Sequence, residues 1–227
     1  MQPKPAASAS RDRRGVRPAL LRLRAASAPH LDEEVRLLVR EAHGAGIPLG
    51  ADAPFGVGML FLPPGADAAE AVLADCLRAH GVAVAGWRTV PLDASALGAQ
   101  ARSGMPRVRQ VLVTPADPEA SEDGFERRLF LARKRFERAS PGGYVCSLSC
   151  RTVVYKALCA ARSLPRFFPD LADPAYETAL AVFHQRYSTN TLPSWRLAQP
   201  LRMCAHNGEI NTLWGNRGWM RARSRDL

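Results

Sequence analysis

Residues 55–62 read FGVGMLFL and run straight into Pro63-Pro64-Gly65. Eight apolar or glycine residues are too few for a core helix, and the Pro-Pro-Gly stop denies the run any extension. The pattern predicts a buried β-strand, and a chain with such a strand must build a sheet around it. Two more runs fit that sheet. Residues 82–90 read as a second strand, with Trp87 near its end and Pro91 closing it. Residues 108–114 read as a third, with Val108, Gln110, Leu112 and Thr114 alternating with Arg109, Val111 and Val113. After Pro141-Gly142-Gly143, the β-branched and aromatic content of 144–158 predicts two consecutive strands broken near 149–151. A helix over 152–161 is the competing assignment. Strands are also expected over 179–187 and 201–205.

Helices fall between these runs in groups. In 30–43, Leu31, Val35, Leu38 and Val39 share one side, and Gly44 and Gly46 end the pattern. In 67–80, Val72, Leu73, Cys76 and Leu77 form an inner face, with Asp67 as cap and Gly81 as stop. The strongest helical period is in 125–139, where Phe125, Leu129, Ala132 and Phe136 step by four, three and four. Arg127, Arg128, Arg133, Lys134, Arg135 and Arg138 are expected to cover its outside. Residues 211–223 also read as helix, 115–124 as an acidic loop, and 164–173 as loop. Strands in tight succession with grouped helices predict an α+β layered fold with a largely antiparallel sheet.

The net charge of +10 invites a nucleic-acid reading, but its location argues against one. Residues 1–30 carry seven basic residues against Asp12 alone, a net +6, which leaves +4 for the other 197 residues. That Ala/Pro/Ser/Arg-rich head has little periodicity and is expected to be disordered, with the folded domain spanning 31–227. No apolar run is long enough to span a membrane. The head has no contiguous apolar core of the kind a signal peptide needs. The five cysteines, Cys76, Cys146, Cys150, Cys159 and Cys204, form no CxxC pair and no Cys/His zinc spacing. An odd count without an export signal fits a reducing cytoplasm. Cys146 and Cys150, four apart in a strand-like run, are expected to share a face as small hydrophobes rather than as a metal pair.

The specific polar chemistry concentrates in 184–219, HQRYSTNTLPSWRLAQPLRMCAHNGEINTLWGNRGW. The planar guanidinium of Arg186, just past an expected strand, suits bidentate capture of a carboxylate. Thr189 and Asn190 add neutral hydrogen-bonding groups. The His206-Asn207-Gly208 turn sets an amide side chain beside a backbone N–H, and two such donors can converge on one developing oxyanion.

This window resembles the glutaminase domain of the glutamate synthase large chain, a class II glutamine amidotransferase with the N-terminal-nucleophile hydrolase fold. VGMLFLP at 57–63, GWRTVP at 86–91, ERRLFLARKRFE at 126–137 and SCRTVVYKAL at 149–158 extend the resemblance upstream. It implies an αββα sandwich with two antiparallel sheets. It further implies that Arg186 binds the α-carboxylate of glutamine with Thr189 in support, and that Asn207 and Gly208 form the oxyanion hole. The implied reaction releases ammonia from glutamine for glutamate synthesis. FMN and an iron–sulfur cluster are implied for the full enzyme, in other domains and a small reductase chain, with no cofactor or metal in these residues.

Two features depart from the pattern. The family's nucleophile is a cysteine at the first position of the mature chain, its own α-amine acting as general base. Here no cysteine precedes Cys76. The family's acidic anchor for the glutamine α-amine lies farther past the HNGE turn than the 20 residues that follow Asn207. The expectation is an incomplete glutaminase domain, truncated at both ends and inactive as it stands. The alternatives are a non-catalytic remnant that binds an amino acid or a partner chain, and a basic RNA-binding protein.

Overall fold

A computed structural model describes residues 20–22, 32–49, 53–65, 67–174, 176, 181–185, 187, 192–201 and 212–224. Its strands are β1 (Leu20–Arg22), β2 (Gly56–Leu62), β3 (Val82–Thr89), β4 (Arg107–Pro115), β5 (Tyr144–Ser149) and β6 (Thr152–Val154). Its α-helices are α1 (Asp32–Gly44), α2 (Asp67–Arg78), α3 (Ala99–Ser103), α4 (Glu122–Ala139), α5 (Leu164–Phe167) and α6 (Leu213–Arg223). Four strands form one sheet in the order β3-β4-β2-β5, and β1 pairs with β6 in a second. Every pairing is antiparallel.

The apolar run at 55–62 becomes β2, an interior strand flanked by β4 and β5. All seven of its residues are buried. Two layers cover it. On one face, Leu73 and Leu77 of α2 and Phe125, Leu129 and Phe136 of α4 pack against Leu60, Leu62, Val111, Val113 and Val145. On the other, Val57, Met59, Phe61 and Leu112 meet Leu38 and Ala42 of α1, together with Val153, Val154 and Tyr155. Burial on both faces explains why 55–62 is uniformly apolar instead of alternating. Gly58 sits where three strands converge: a Cβ there would lie 2.6 Å from Val111 Cγ1 and 3.0 Å from Leu148 Cδ1.

The α+β class is as expected. The described residues show a helical layer, a full antiparallel sheet and a two-stranded second sheet, so the sandwich is unclosed. Leu20–Arg22, inside the basic head, supplies β1 and adds to the edge of β6.

Helix α4 has the predicted buried stripe, Phe125, Leu129, Ala132 and Phe136. Ser121 Oγ accepts from the Gly124 N–H at 3.2 Å and caps the helix. Arg133 corrects the expected basic outside. It is buried, four residues after Leu129 and three before Phe136, at the edge of the stripe. Its guanidinium lies 4.9 Å from the centre of the Phe130 ring, and Phe130 is itself half exposed. A long aliphatic stem lets an arginine occupy such an edge.

The cysteine expectation is also corrected. Cys146 packs in the core on the α1 side of the sheet and Cys150 in the core under α2 and α4. The β2–β5 register shifts between Met59 and Leu60, with Met59 opposite Ser147 and Leu60 opposite Val145. That bulge changes the phase of β5, so a separation of four no longer means a shared face. Both remain small buried groups, as the composition suggested.

Four assignments in the second half of the chain differ or lie outside the described residues. Residues 164–173, read as loop, contain α5 and a 3₁₀ turn over Pro169–Ala172, each with a proline in its first turn. Proline tolerates that position because the N–H it lacks has no partner there anyway. Residues 181–185, read as strand, are irregular, because no described neighbour forms a ladder with them. Of the strand expected over 201–205, residues 202–205 lie outside the described residues. The helix considered over 152–161 is replaced by β6 and the turns after it.

Candidate active site

The segments that follow β6 build a cavity of about 1070 Å³. Phe61 and Tyr144 of the sheet, Lys156 just after β6, Gln185 and Tyr187, and Trp195 contribute to its lining. Most of these segments have no strand ladder, so side chains fix their backbone.

Trp195 is the first anchor. It is buried, and its Nε1 donates to the Ala101 carbonyl in α3 at 3.0 Å. Its ring stands edge-on to Phe61, centroids 5.5 Å apart, and tilted against Phe167 at 5.8 Å. An indole gains most when its body is in the core and its N–H has a partner, as here.

Lys156 is the second anchor. It is 2% exposed, and its Nζ donates to the carbonyls of Arg196 at 2.9 Å and Ala198 at 3.0 Å, and to Tyr144 Oη at 3.0 Å. Three N–H donors meet three oxygens, which is what a buried ammonium requires. The ammonium also lies 4.4 Å from the Tyr144 ring centre, and the Arg196 guanidinium is 5.6 Å from it.

Tyr187 is the third. Its hydroxyl donates to the Leu192 carbonyl at 3.2 Å and accepts from the Ser194 N–H at 2.9 Å. It thereby joins the two ends of the stretch that carries Thr189 and Asn190 in sequence.

Of the predicted site residues, Arg186, Thr189, Asn207 and Gly208 lie outside the described residues. Their chain neighbours are described. Gln185 and Tyr187, on either side of Arg186, both line the cavity, as does Pro200, seven positions before Asn207. Lys156, Tyr187 and Trp195 were not singled out by the sequence reading. The signal available was a lysine inside the apolar run VVYKAL, which demands either exposure or a full set of acceptors.

Behind the cavity, a buried ion cluster ties the α1 side of the sheet to the turns after α5. Arg88 donates from two nitrogens to the two Asp170 oxygens, each at 2.8 Å, and also to Glu41 at 3.0 Å. Tyr155 Oη donates to Asp170 at 3.0 Å. Burial opposes the charge on Arg88, but its hydrogen bonds to Asp170 and the nearby carboxylates leave its pKa raised. Burial raises the phenol of Tyr155 well above its ordinary value.

Three thiols are held in the protonated state. Cys159, which lines the cavity, is pushed up to about 11 by burial. Cys150 is raised further, by burial and by Glu126, and Cys76 is raised by burial. A nucleophilic cysteine needs the opposite shift. Among the described residues, no group of three or more His, Cys, Asp or Glu side chains is placed to hold a metal ion. No described helix is long and apolar enough to cross a membrane.

Residues 31–227 match the family model of class-II glutamine amidotransferases. The chain is 43% identical over 195 residues, 84% of its length, to ferredoxin-dependent glutamate synthase 2 of Synechocystis sp.. It is 44% identical over 181 residues, 76% of its length, to the chloroplastic ferredoxin-dependent glutamate synthase of Oryza sativa. It is 43% identical over 180 residues, 75% of its length, to the large chain of NADPH glutamate synthase of Azospirillum brasilense. The matched regions are 12%, 11% and 12% of those proteins, so the chain spans only a small part of the relatives' length. With an α+β antiparallel architecture and a family match from α1 to its last residue, this chain belongs to the class-II glutamine amidotransferases.

Proposed function

We propose that residues 31–227 are a glutamine-binding part of a glutamate synthase large chain. In this reading the Arg186 guanidinium holds the α-carboxylate of glutamine by a bidentate pair, and Thr189 supports it. The Asn207 side chain and the Gly208 N–H stabilise the oxyanion formed when the side-chain amide is attacked. Ammonia released in that reaction is then used for glutamate synthesis elsewhere in the longer protein. A small reductase chain, FMN and an iron–sulfur cluster belong to that larger assembly, which we place in the cytoplasm. The amidotransferase unit is residues 31–227, and Leu20–Arg22 of the basic head adds β1 to its second sheet.

The observation that carries this reading is the shared cavity. Gln185 and Tyr187 on either side of Arg186, and Pro200 on the path to Asn207, all line it. Lys156, Trp195 and Tyr187 fix its walls with four hydrogen bonds to backbone carbonyls and one from a backbone N–H.

The raised pKa values of Cys76, Cys150 and Cys159, three of the five cysteines, support binding without turnover by the 227-residue chain. Titration calorimetry with glutamine is expected to show a single site and no release of ammonia. Arg186→Ala is expected to weaken binding about tenfold or more, the loss of a charged hydrogen-bonded pair. Binding that is indifferent to Arg186→Ala would remove this pocket from the explanation. Glutamine hydrolysis that disappears with Arg186→Ala would show that the chain is active after all.

A further inference from the structure

Among the wall residues, Lys156 has contacts out of proportion to a supporting role in the core. Lysine is rarely fully buried, because its ammonium must be desolvated and every donor matched. Here the ammonium is directed at backbone. Its described acceptors include the alternate carbonyls of Arg196 and Ala198 and the phenol of Tyr144 on β5. Among the described residues, the segment it grips is tied locally by a single turn. Residues 195–197 form a turn held by Leu197 and Ala198 N–H groups donating to the Ser194 carbonyl at 3.2 Å. The chain then passes through a cis Gln199-Pro200 bond toward Leu201.

We propose that Lys156 is a positioning residue for glutamine binding: it clamps the Arg196–Ala198 backbone onto β5 and so fixes the point from which the chain sets out toward Asn207, nine residues beyond Ala198. This rests on the glutamine reading of the cavity. The clamp joins two parts of the sequence 40 and 42 residues apart, and it stands where the described residues show no strand ladder. A methionine of similar length would fill the same space and keep the Tyr144 ring contact. It would remove the donor that Lys156 supplies to two carbonyls and a phenol.

The test compares Lys156→Met and Tyr144→Phe with the unaltered 227-residue chain by amide hydrogen exchange and by glutamine calorimetry. Lys156→Met is expected to speed exchange at the 195–201 amides about tenfold or more, with amides in β4 unchanged, and to weaken glutamine binding by a similar factor. Tyr144→Phe removes one of these acceptors and is expected to produce the same local pattern at a smaller amplitude. Equal exchange over 195–201 in both variants, or faster exchange spread evenly into β4, overturns the clamp. If Lys156→Met fails to fold, the Tyr144→Phe pattern decides. Unchanged glutamine affinity in a variant with a loosened 195–201 segment overturns the positioning role while leaving the glutamine reading intact. No binding by the unaltered chain overturns the glutamine reading and, with it, the role in binding, and the exchange data then decide whether the clamp exists.

Discussion

The four-stranded sheet and the segment 181–201 belong to one family match but keep their shape by different means. In the sheet, the ladder between β2 and β4 runs unbroken from Gly56 opposite Val113 to Leu62 opposite Arg107. Most backbone groups there are satisfied by other backbone, and the side chains are free to pack. In 181–201 no described strand is present, and the work falls to Lys156, Trp195 and Tyr187. A ladder spreads its strength over many equivalent bonds. A clamp concentrates it in one side chain, so a single substitution can release a segment without unfolding the protein. In sequence, Arg186 and Thr189 fall within 181–201, and Asn207 and Gly208 follow it.

The contrast is sharpest if the sheet side is attacked first. Arg88→Met leaves the 8%-exposed Asp170 carboxylate without its bidentate partner and is expected to cost about 3–5 kcal/mol. Urea unfolding should show it as a lower midpoint, in a transition that removes sheet and cavity together. A loss under 1 kcal/mol would mean that the buried cluster is not what holds the turns after α5 to the sheet.

The cavity thiol gives the next effect. Cys159, raised from 9.0 to about 11, should carry about a hundredfold less thiolate near pH 8 than an unperturbed cysteine. Its alkylation rate should therefore keep rising with pH up to about 11 instead of levelling near 9.0. The linkage has one sign. The unfolded chain loses this proton above its ordinary pKa while the folded chain keeps it. Stability from the buried thiol is therefore complete below pH 9.0 and declines as pH rises toward 11. A rate profile that levels near 9.0 would show Cys159 to be solvated.

The smallest effect belongs to α6. Trp214 and Trp219 are 80% and 79% exposed, so each change to alanine is expected to alter stability by no more than about 0.5 kcal/mol. A larger loss would show that the helix is packed in solution.

Much of the scaffold was legible in the sequence. The strands β2, β3 and β4 and the helices α1, α2 and α4 follow from apolar period and Pro or Gly stops, because each is a local pattern with a local terminator. The break between β5 and β6 fell near 149–151 as read. What failed was non-local. The phase change at Cys146 needs the β2–β5 register, which no property of β5 alone reveals. The strand expected over 179–187 had the right composition, but its described residues 181–185 have no described partner ladder, and a strand is defined by its partner. Arg133 was assigned to the surface by charge, although its place in the helical period put it at the edge of the core.

The same division holds for the site. The types and spacing of Arg186, Thr189, Asn207 and Gly208 were sufficient to suggest carboxylate capture and oxyanion stabilisation. Chemistry that depends on functional groups in a short motif is written in the motif. The sequence likewise determined the α+β class and family membership, through patterns repeated over nearly the whole chain. Only the tertiary structure decided that the neighbours of Arg186 and the approach to Asn207 share one cavity. Only there does Lys156 become a clamp, since its acceptors at 196 and 198 lie some forty positions away in the chain. Contacts that far apart are set by how layers pack, and packing is a property of the whole fold.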